Sequence, residues 1–189
     1  MTKQSIRAEM AGRVRDLPPA YCWEADAAIC RWVEQSALYR EARTVFCYAG
    51  TEREIDTADL LRAALRDGKR LVLPLCTAPG IMEARQIVRL EDLVGGKYGI
   101  LAPKPQCPLV APEEIDLAVI PCCTGNAAGQ RLGYGGGYYD RFLPGTACPK
   151  LLLCRERLVR EDLPMDGHDV VMDYLATEKG ITACRQANK

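Results

Sequence analysis

The sequence has one histidine, His168, and none of its ten cysteines is spaced as a C-x-x-C pair. Together these shortages exclude the Cys/His patterns of structural zinc sites. No apolar run approaches the roughly 20 residues that span a bilayer. The first residues, Met1 to Arg7, lack the apolar stretch of a signal peptide, which predicts a cytosolic protein with no membrane partner. Charge of one sign is also missing, since 25 Lys and Arg stand against 25 Asp and Glu. Zero net charge gives no general basic surface for nucleic acid, so any bound anion must be gripped locally. Repeats, low-complexity tracts and long linkers are absent, which predicts one domain over 1–189.

What is present describes a globular chain, 48% hydrophobic and 26% charged, long enough to bury about 70% of its unfolded surface without a covalent staple. Several cysteines sit in apolar stretches, such as Val45-Phe46-Cys47-Tyr48 and Leu152-Leu153-Cys154. A thiol there behaves as a small core side chain, so the thiols are read as reduced.

Ile6, Met10 and Val14 recur every four residues and predict a helix over 2–16, ended by Pro18 and Pro19. A second helix is predicted from about Ala20 to Arg40. Thr44–Ala49 is a short apolar run of strand formers, and Ala58–Arg66 has one apolar side. Asp56 or Thr57 is available to cap that helix, and Gly68 to close it. Arg70–Pro74 is a further buried-type strand. The succession over 44–75 reads as a βαβ unit with a right-handed crossover. Strands are also predicted at 87–90, 117–120 and 151–154. The fold class is α/β, a mostly parallel sheet with helices on both faces. Ligands in such sheets gather beyond the carboxyl ends of the strands, which selects the loops Gly50–Thr57 and Pro121–Gly137.

The second loop carries six of the sixteen glycines between Gly125 and Gly137. Such density costs backbone entropy. Bare backbone N–H groups can wrap a phosphate chain, Arg131 adds charge, and 138–143 can begin a helix. The pattern is neither Walker A nor G-x-G-x-x-G. Pattern alone leaves two readings, a flexible surface loop and an anion cradle.

Taken literally, Gly129-Gln130-Arg131-Leu132-Gly133-Tyr134-Gly135-Gly136-Gly137-Tyr138-Tyr139-Asp140-Arg141-Phe142-Leu143 resembles the signature of the 5-formyltetrahydrofolate cyclo-ligase family, also called methenyltetrahydrofolate synthetases. Lys3-x-x-x-Arg7, Glu54-Ile55-Asp56-Thr57, Gly99-Ile100-x-x-Pro103 and Leu163-Pro164-x-x-x-His168-Asp169 are similar to the family's other short motifs, in the same order. The resemblance implies a reaction in which ATP phosphorylates the formyl oxygen of 5-formyltetrahydrofolate. N10 then attacks the activated carbon, and phosphate leaves to give 5,10-methenyltetrahydrofolate.

The same resemblance implies a set of roles. Lys3, Arg7 and Arg131 to Tyr139 (Leu132, Gly133, Tyr134, Gly135, Gly136, Gly137 and Tyr138 between them) would bind ATP. Ala49, Glu54 and the stretch Tyr134–Tyr138 would bind folate, Glu54 accepting from the pterin and Ala49 forming an apolar wall. Arg131 and Tyr138 would be catalytic, and Asp140 and Asp169 would hold Mg²⁺. Each residue also has a plainer reading. Lys3 and Arg7, four apart on one helix face, suit a solvated surface; Glu54 suits a turn; the two aspartates suit helix caps or surface acids.

Four positions depart from the family pattern. Gly125 and Asn126 stand where an aromatic and an acid are usual, Ala102 replaces a glutamate, and Arg155 takes the place of an aromatic. An amide cannot supply a carboxylate's charge, which weakens any role of residue 126 in metal binding or loop ordering. Asn126 and Ala102 support an alternative, a relative that binds nucleotide or folate without the reaction. A phosphosugar isomerase or acyl-CoA enzyme fits the fold class but leaves Arg131 to Asp140 unexplained.

Overall fold

The computed structural model describes residues 1–96 and 99–185. Helix α1 (Lys3–Arg15) starts at Thr2, whose hydroxyl accepts the Ser5 N–H, and it buries Ile6 and Met10 one turn apart. Helix α2 (Pro19–Gln35) has proline in its first turn, where a missing N–H costs nothing. The helix expected to reach Arg40 is broken at Ser36. That residue is extended, with φ −73° and ψ 151°, and its hydroxyl accepts the Tyr39 N–H at 3.2 Å. A serine that bonds the backbone in this way starts a new helix, α3 (Ala37–Glu41).

Strand β1 (Thr44–Phe46), helix α4 (Ala58–Arg66) and strand β2 (Arg70–Ala78) form the expected βαβ unit, with Val45 beside Leu71 in a parallel ladder. Gly68 closes α4 at φ +70°. Asp56 supplies the cap, accepting the Ala58 N–H at 2.9 Å. The Thr57 hydroxyl turns inward to the Tyr48 carbonyl and the Gly50 N–H.

The strand expected at 87–90 falls earlier, as β3 (Ile81–Ile87), antiparallel to β2. It stops there because the Asp92 carboxylate takes the N–H groups of Val88 and Arg89. Strands β4 (Leu93–Gly95) and β5 (Leu101–Pro103) pair apart from the main sheet, and β6 (Leu109–Val110) pairs with β3. Strand β7 (Leu117–Ile120) is followed by a small hairpin of β8 (Thr124–Gly125) and β9 (Arg131–Leu132). Helix α5 (Tyr138–Phe142), β10 (Lys150–Leu153), β11 (Tyr174–Thr177) and β12 (Gly180–Ala183) complete the chain.

The main sheet has eight strands in the order β12-β11-β10-β7-β1-β2-β3-β6. Its middle, from β11 to β2, is parallel throughout, and antiparallel strands flank it. Fully buried parallel strands alternate between two cores. Val45, Leu71, Leu73, Leu117, Val119, Leu151 and Leu153 meet α2 and α4 through Ile29, Val33, Leu60 and Leu61. Phe46, Val72, Ala118, Ile120 and Leu152 meet α1 and α5 on the opposite face through Ile6, Met10 and Phe142. Phe46 stacks on Phe142 at 5.1 Å between ring centroids. A buried side chain of this size is worth about 1.5–3 kcal/mol, so the pair ties α5, and the loop before it, to the sheet centre.

Candidate active site

The parallel strands share one carboxyl end, and there the segments 48–57, 122–140 and 153–155 converge. Glycines 135 and 136 are exposed, while Arg131 and Leu132 just before them are buried. Two arginines pin the loop by its carbonyls. Arg7 Nε donates to the Gly133 oxygen at 2.7 Å, and Arg141 Nη2 to the Gly136 oxygen at 3.0 Å. A Cβ on Gly133 would lie 2.7 Å from Nη1 of Arg131, so a side chain there would displace that guanidinium. Gly137 opens α5 at φ +63°, a conformation that disfavours any residue with a Cβ. The Arg7 guanidinium also lies beside Gly135, within 3.7 Å of where its Cβ would be. Among the described residues Arg7 faces no carboxylate, which leaves its outer N–H groups for an anion at the glycine loop.

The other two cations of the sequence reading are paired. Arg131 is 7% exposed, and its Nη2 donates to both oxygens of Asp140 at 3.0 Å. Its Nη1 donates to the Pro121 carbonyl at 3.3 Å, and the guanidinium carbon lies 5.4 Å from the Tyr139 ring centre. Its Nε is buried with no acceptor. Arg131 is therefore a packed residue under the loop as well as a charge within it. Lys3 Nζ donates to Asp166 at 2.8 Å and to Asp169. Burial pushes the Asp169 carboxyl up, but the Lys3 ammonium and the Asp166 N–H more than offset that and hold it below the usual carboxylate range.

Ligand atoms of Asp166, His168 and Asp169 lie within 4.8 Å of one another, an oxygen-rich set compatible with a divalent cation. Asp140 is not in that cluster. The Val170 N–H reaches an Asp140 oxygen at 3.4 Å, so the two expected metal acids sit on adjoining segments, each facing a cation.

Glu54 occupies the loop after β1. Its carboxylate accepts the Thr51 N–H at 3.1 Å, and among the described residues it has no cationic partner. Burial pushes it above the ordinary carboxylate value, only partly countered by the Thr51 bonds. Tyr48, Cys122 and Arg155 line the same narrow cleft. Ala49 is 7% exposed, and the Tyr134 hydroxyl donates to the carbonyl of Cys122, one of the cleft residues, at 3.2 Å. A carboxylate left half-desolvated without a counter-ion is suited to accept hydrogen bonds from a ligand. Tyr138 packs its ring against Gly136, where an added Cβ would lie 2.6 Å away.

The departures have structural roles. Gly125 is required, because a Cβ would lie 2.3 Å from Leu152. Asn126 is 4% exposed; it donates to the Glu161 carbonyl at 2.7 Å and to Gln130 at 2.8 Å, and it accepts the N–H groups of Ala128 and Gln130. The amide thus orders this loop with donors that a carboxylate does not have, contrary to the weakening expected from sequence. Ala102 sits in β5 opposite Val94. Arg155, 4% exposed, forms a buried pair with Asp26. Sequence reasoning passed over Asp26, although its spacing from Ile29, Cys30 and Val33 places an acid on the buried face of α2.

Comparison with known proteins gives one consistent picture. The 5-formyltetrahydrofolate cyclo-ligase family model matches residues 1–178. A 5-formyltetrahydrofolate cyclo-ligase of Mycolicibacterium smegmatis is 30% identical over 97% of this chain and 98% of its own. The Escherichia coli cyclo-ligase is 33% identical over 72% of this chain and 78% of its own. The solution structure of the Aquifex aeolicus 5,10-methenyltetrahydrofolate synthetase superposes with a TM-score of 0.85, at 24% identity, over 100% of this chain and 96% of that one.

Proposed function

Because this chain belongs to the 5-formyltetrahydrofolate cyclo-ligase family, we propose that it converts 5-formyltetrahydrofolate and ATP to 5,10-methenyltetrahydrofolate, ADP and phosphate, residues 1–189 working as one unit. The observation that carries this reading is the pairing of two unlike sites at the carboxyl end of the central strands: a glycine loop beside Arg7, a cation that faces no carboxylate among the described residues, and Glu54, a half-buried carboxylate with no cation among them. One suits a polyphosphate and the other a ring rich in N–H donors.

In this scheme ATP lies along Gly133–Gly137. Arg7 and Lys3 contact its phosphates, and Arg131 holds the loop from beneath while adding positive potential to it. Folate enters beside Tyr134 and Ala49, and Glu54 accepts from the pterin. Holding both substrates in one cleft aligns the formyl oxygen with the terminal phosphorus, and positioning together with electrostatic stabilisation is most of what a protein contributes to phosphoryl transfer. After transfer, N10 forms a bond to the formyl carbon and loses its proton. The C–O bond then breaks, and the former formyl oxygen leaves with phosphate. Tyr138, against Gly136, flanks that transfer.

The acids near the loop fit a Mg²⁺ ion, with Asp169 inside the oxygen-rich cluster and Asp140 on the adjoining segment. The ion would neutralise charge developing on the phosphates. Asp169 would then exchange Lys3 for the ion, freeing the lysine for phosphate.

The test is to mix the protein with 5-formyltetrahydrofolate and MgATP and follow the absorbance of methenyltetrahydrofolate. Product that requires both ATP and Mg²⁺ is expected. Tight binding of either substrate with no product would instead favour the non-catalytic relative.

A further inference from the structure

Between Glu54 and Asp56 the chain is held from outside at two points. Arg155, just past β10, donates through Nε to Asp26 Oδ1 and through Nη2 to Asp26 Oδ2, both at 2.7 Å. The same Nη2 donates to the Glu54 carbonyl at 2.8 Å. Asp26 Oδ2 in turn accepts the Asp56 N–H at 2.9 Å. One ion pair therefore grips the backbone on both sides of Ile55. Opposite it, Gly50 passes so close that a Cβ would lie 2.1 Å from the Ile55 carbonyl oxygen.

We propose that the buried Arg155–Asp26 pair is a positioning device that fixes the Glu54 carboxylate for folate, so that these two residues, neither of which reaches the substrate with a free charge, set folate affinity. This rests on the reading of Glu54 as the pterin acceptor. The chemistry favours that role over simple stabilisation. A buried ion pair contributes little net stability compared with an apolar pair of similar volume. What an apolar pair cannot reproduce is the pair's two bonds to the loop backbone. Lysine at 155 cannot reproduce them either, because it lacks the planar fork that spans a carboxylate and a carbonyl together. Arg155 also lines the cleft that contains Glu54, so a loosened loop shifts the carboxylate within the site itself.

The experiment compares wild type, Glu54→Gln, the double variant Asp26→Leu/Arg155→Met, and Arg155→Lys. For each, KM for 5-formyltetrahydrofolate, KM for ATP and the melting temperature are measured. The double variant removes both charges and is expected to fold, to raise KM for folate about tenfold, and to leave KM for ATP unchanged. Arg155→Lys should fall between it and wild type. An unchanged folate KM in the folded double variant, or an equal rise in both KM values, overturns the proposal. If the double variant does not fold, Arg155→Lys decides by the same criterion. A Glu54→Gln enzyme with wild-type folate KM overturns the underlying reading of Glu54. A raised folate KM in Glu54→Gln beside an unaffected double variant overturns the positioning role alone.

Discussion

Arg131 donates from a single nitrogen to both carboxylate oxygens of Asp140, at 3.0 Å each, with the two side chains only 4% and 17% exposed. A charge buried to that degree is costly to strand. Breaking such a pair from one side costs about 3–5 kcal/mol when both partners are fully buried.

The residual exposure of Asp140 lowers the expected cost of Asp140→Asn to about 2–3 kcal/mol. For a chain of this size that corresponds to a fall of roughly 5–10 °C in melting temperature. Arg131→Ala should likewise destabilise the free protein, so the arginine is more than a ligand charge on a loop. Calorimetric melting without ligands measures both effects. Wild-type stability in both variants would contradict the burial argument.

Glu54→Gln should raise KM for 5-formyltetrahydrofolate by about 10–100-fold, the worth of a hydrogen bond to a charged group, with KM for ATP little changed. The same variant should be more stable than wild type at neutral pH, because burial disfavours the ionised form of Glu54. The sign follows from proton linkage. A carboxyl raised on folding holds more protons in the native state, so its contribution to stability falls as pH rises through the raised value. The stability gap between variant and wild type should therefore close as pH drops toward the ordinary carboxylate range. Urea unfolding at several pH values reads it.

Under the proposed reading Lys3 serves the phosphates and Asp169 the metal, and variants distinguish the two roles. Asp169→Asn should raise the Mg²⁺ concentration for half-maximal activity, whereas Lys3→Met should raise KM for ATP with less effect on Mg²⁺. Asp169 is held below the usual range after folding, so its contact with Lys3 stabilises the protein above the unfolded value near 3.9. That stabilisation is lost as pH falls through the lower folded value. The Lys3→Met penalty in an acid titration should vanish over that range.

Asn126→Asp, although it restores an acid, should destabilise by about 1–3 kcal/mol. The two donors that hold the Glu161 carbonyl and Gln130 are lost, and a carboxylate oxygen is turned toward a carbonyl. Chemical denaturation measures it, and an unchanged midpoint would show that the loop rearranges freely.

The layered α/β fold was readable because its signals are local. Apolar runs at 44–49, 70–74, 117–120 and 151–154 are continuous, and a helix capped by Asp56 lies between the first two. Ser36 and Asp92 were not, because in both a side chain diverts backbone N–H groups from the regular pattern, and only the fold shows which bond wins. Strands 174–177 and 180–183 carry no long apolar run, and the second lies at the sheet's edge, partly exposed. The glycine loop and Glu54 were visible as motifs. The ion pairs of Arg131 with Asp140, and of Arg155 with Asp26, join residues 9 and 129 positions apart. Spacing in sequence carries no record of the longer one.

The central claim is that ATP activates the formyl oxygen, and the fate of that oxygen tests it most directly. 5-Formyltetrahydrofolate labelled with ¹⁸O in the formyl group is turned over with MgATP, and the released phosphate is weighed by mass spectrometry. The account predicts one labelled oxygen in phosphate for each methenyltetrahydrofolate formed. Methenyl product accompanied by unlabelled phosphate, the label having passed to water, would contradict it.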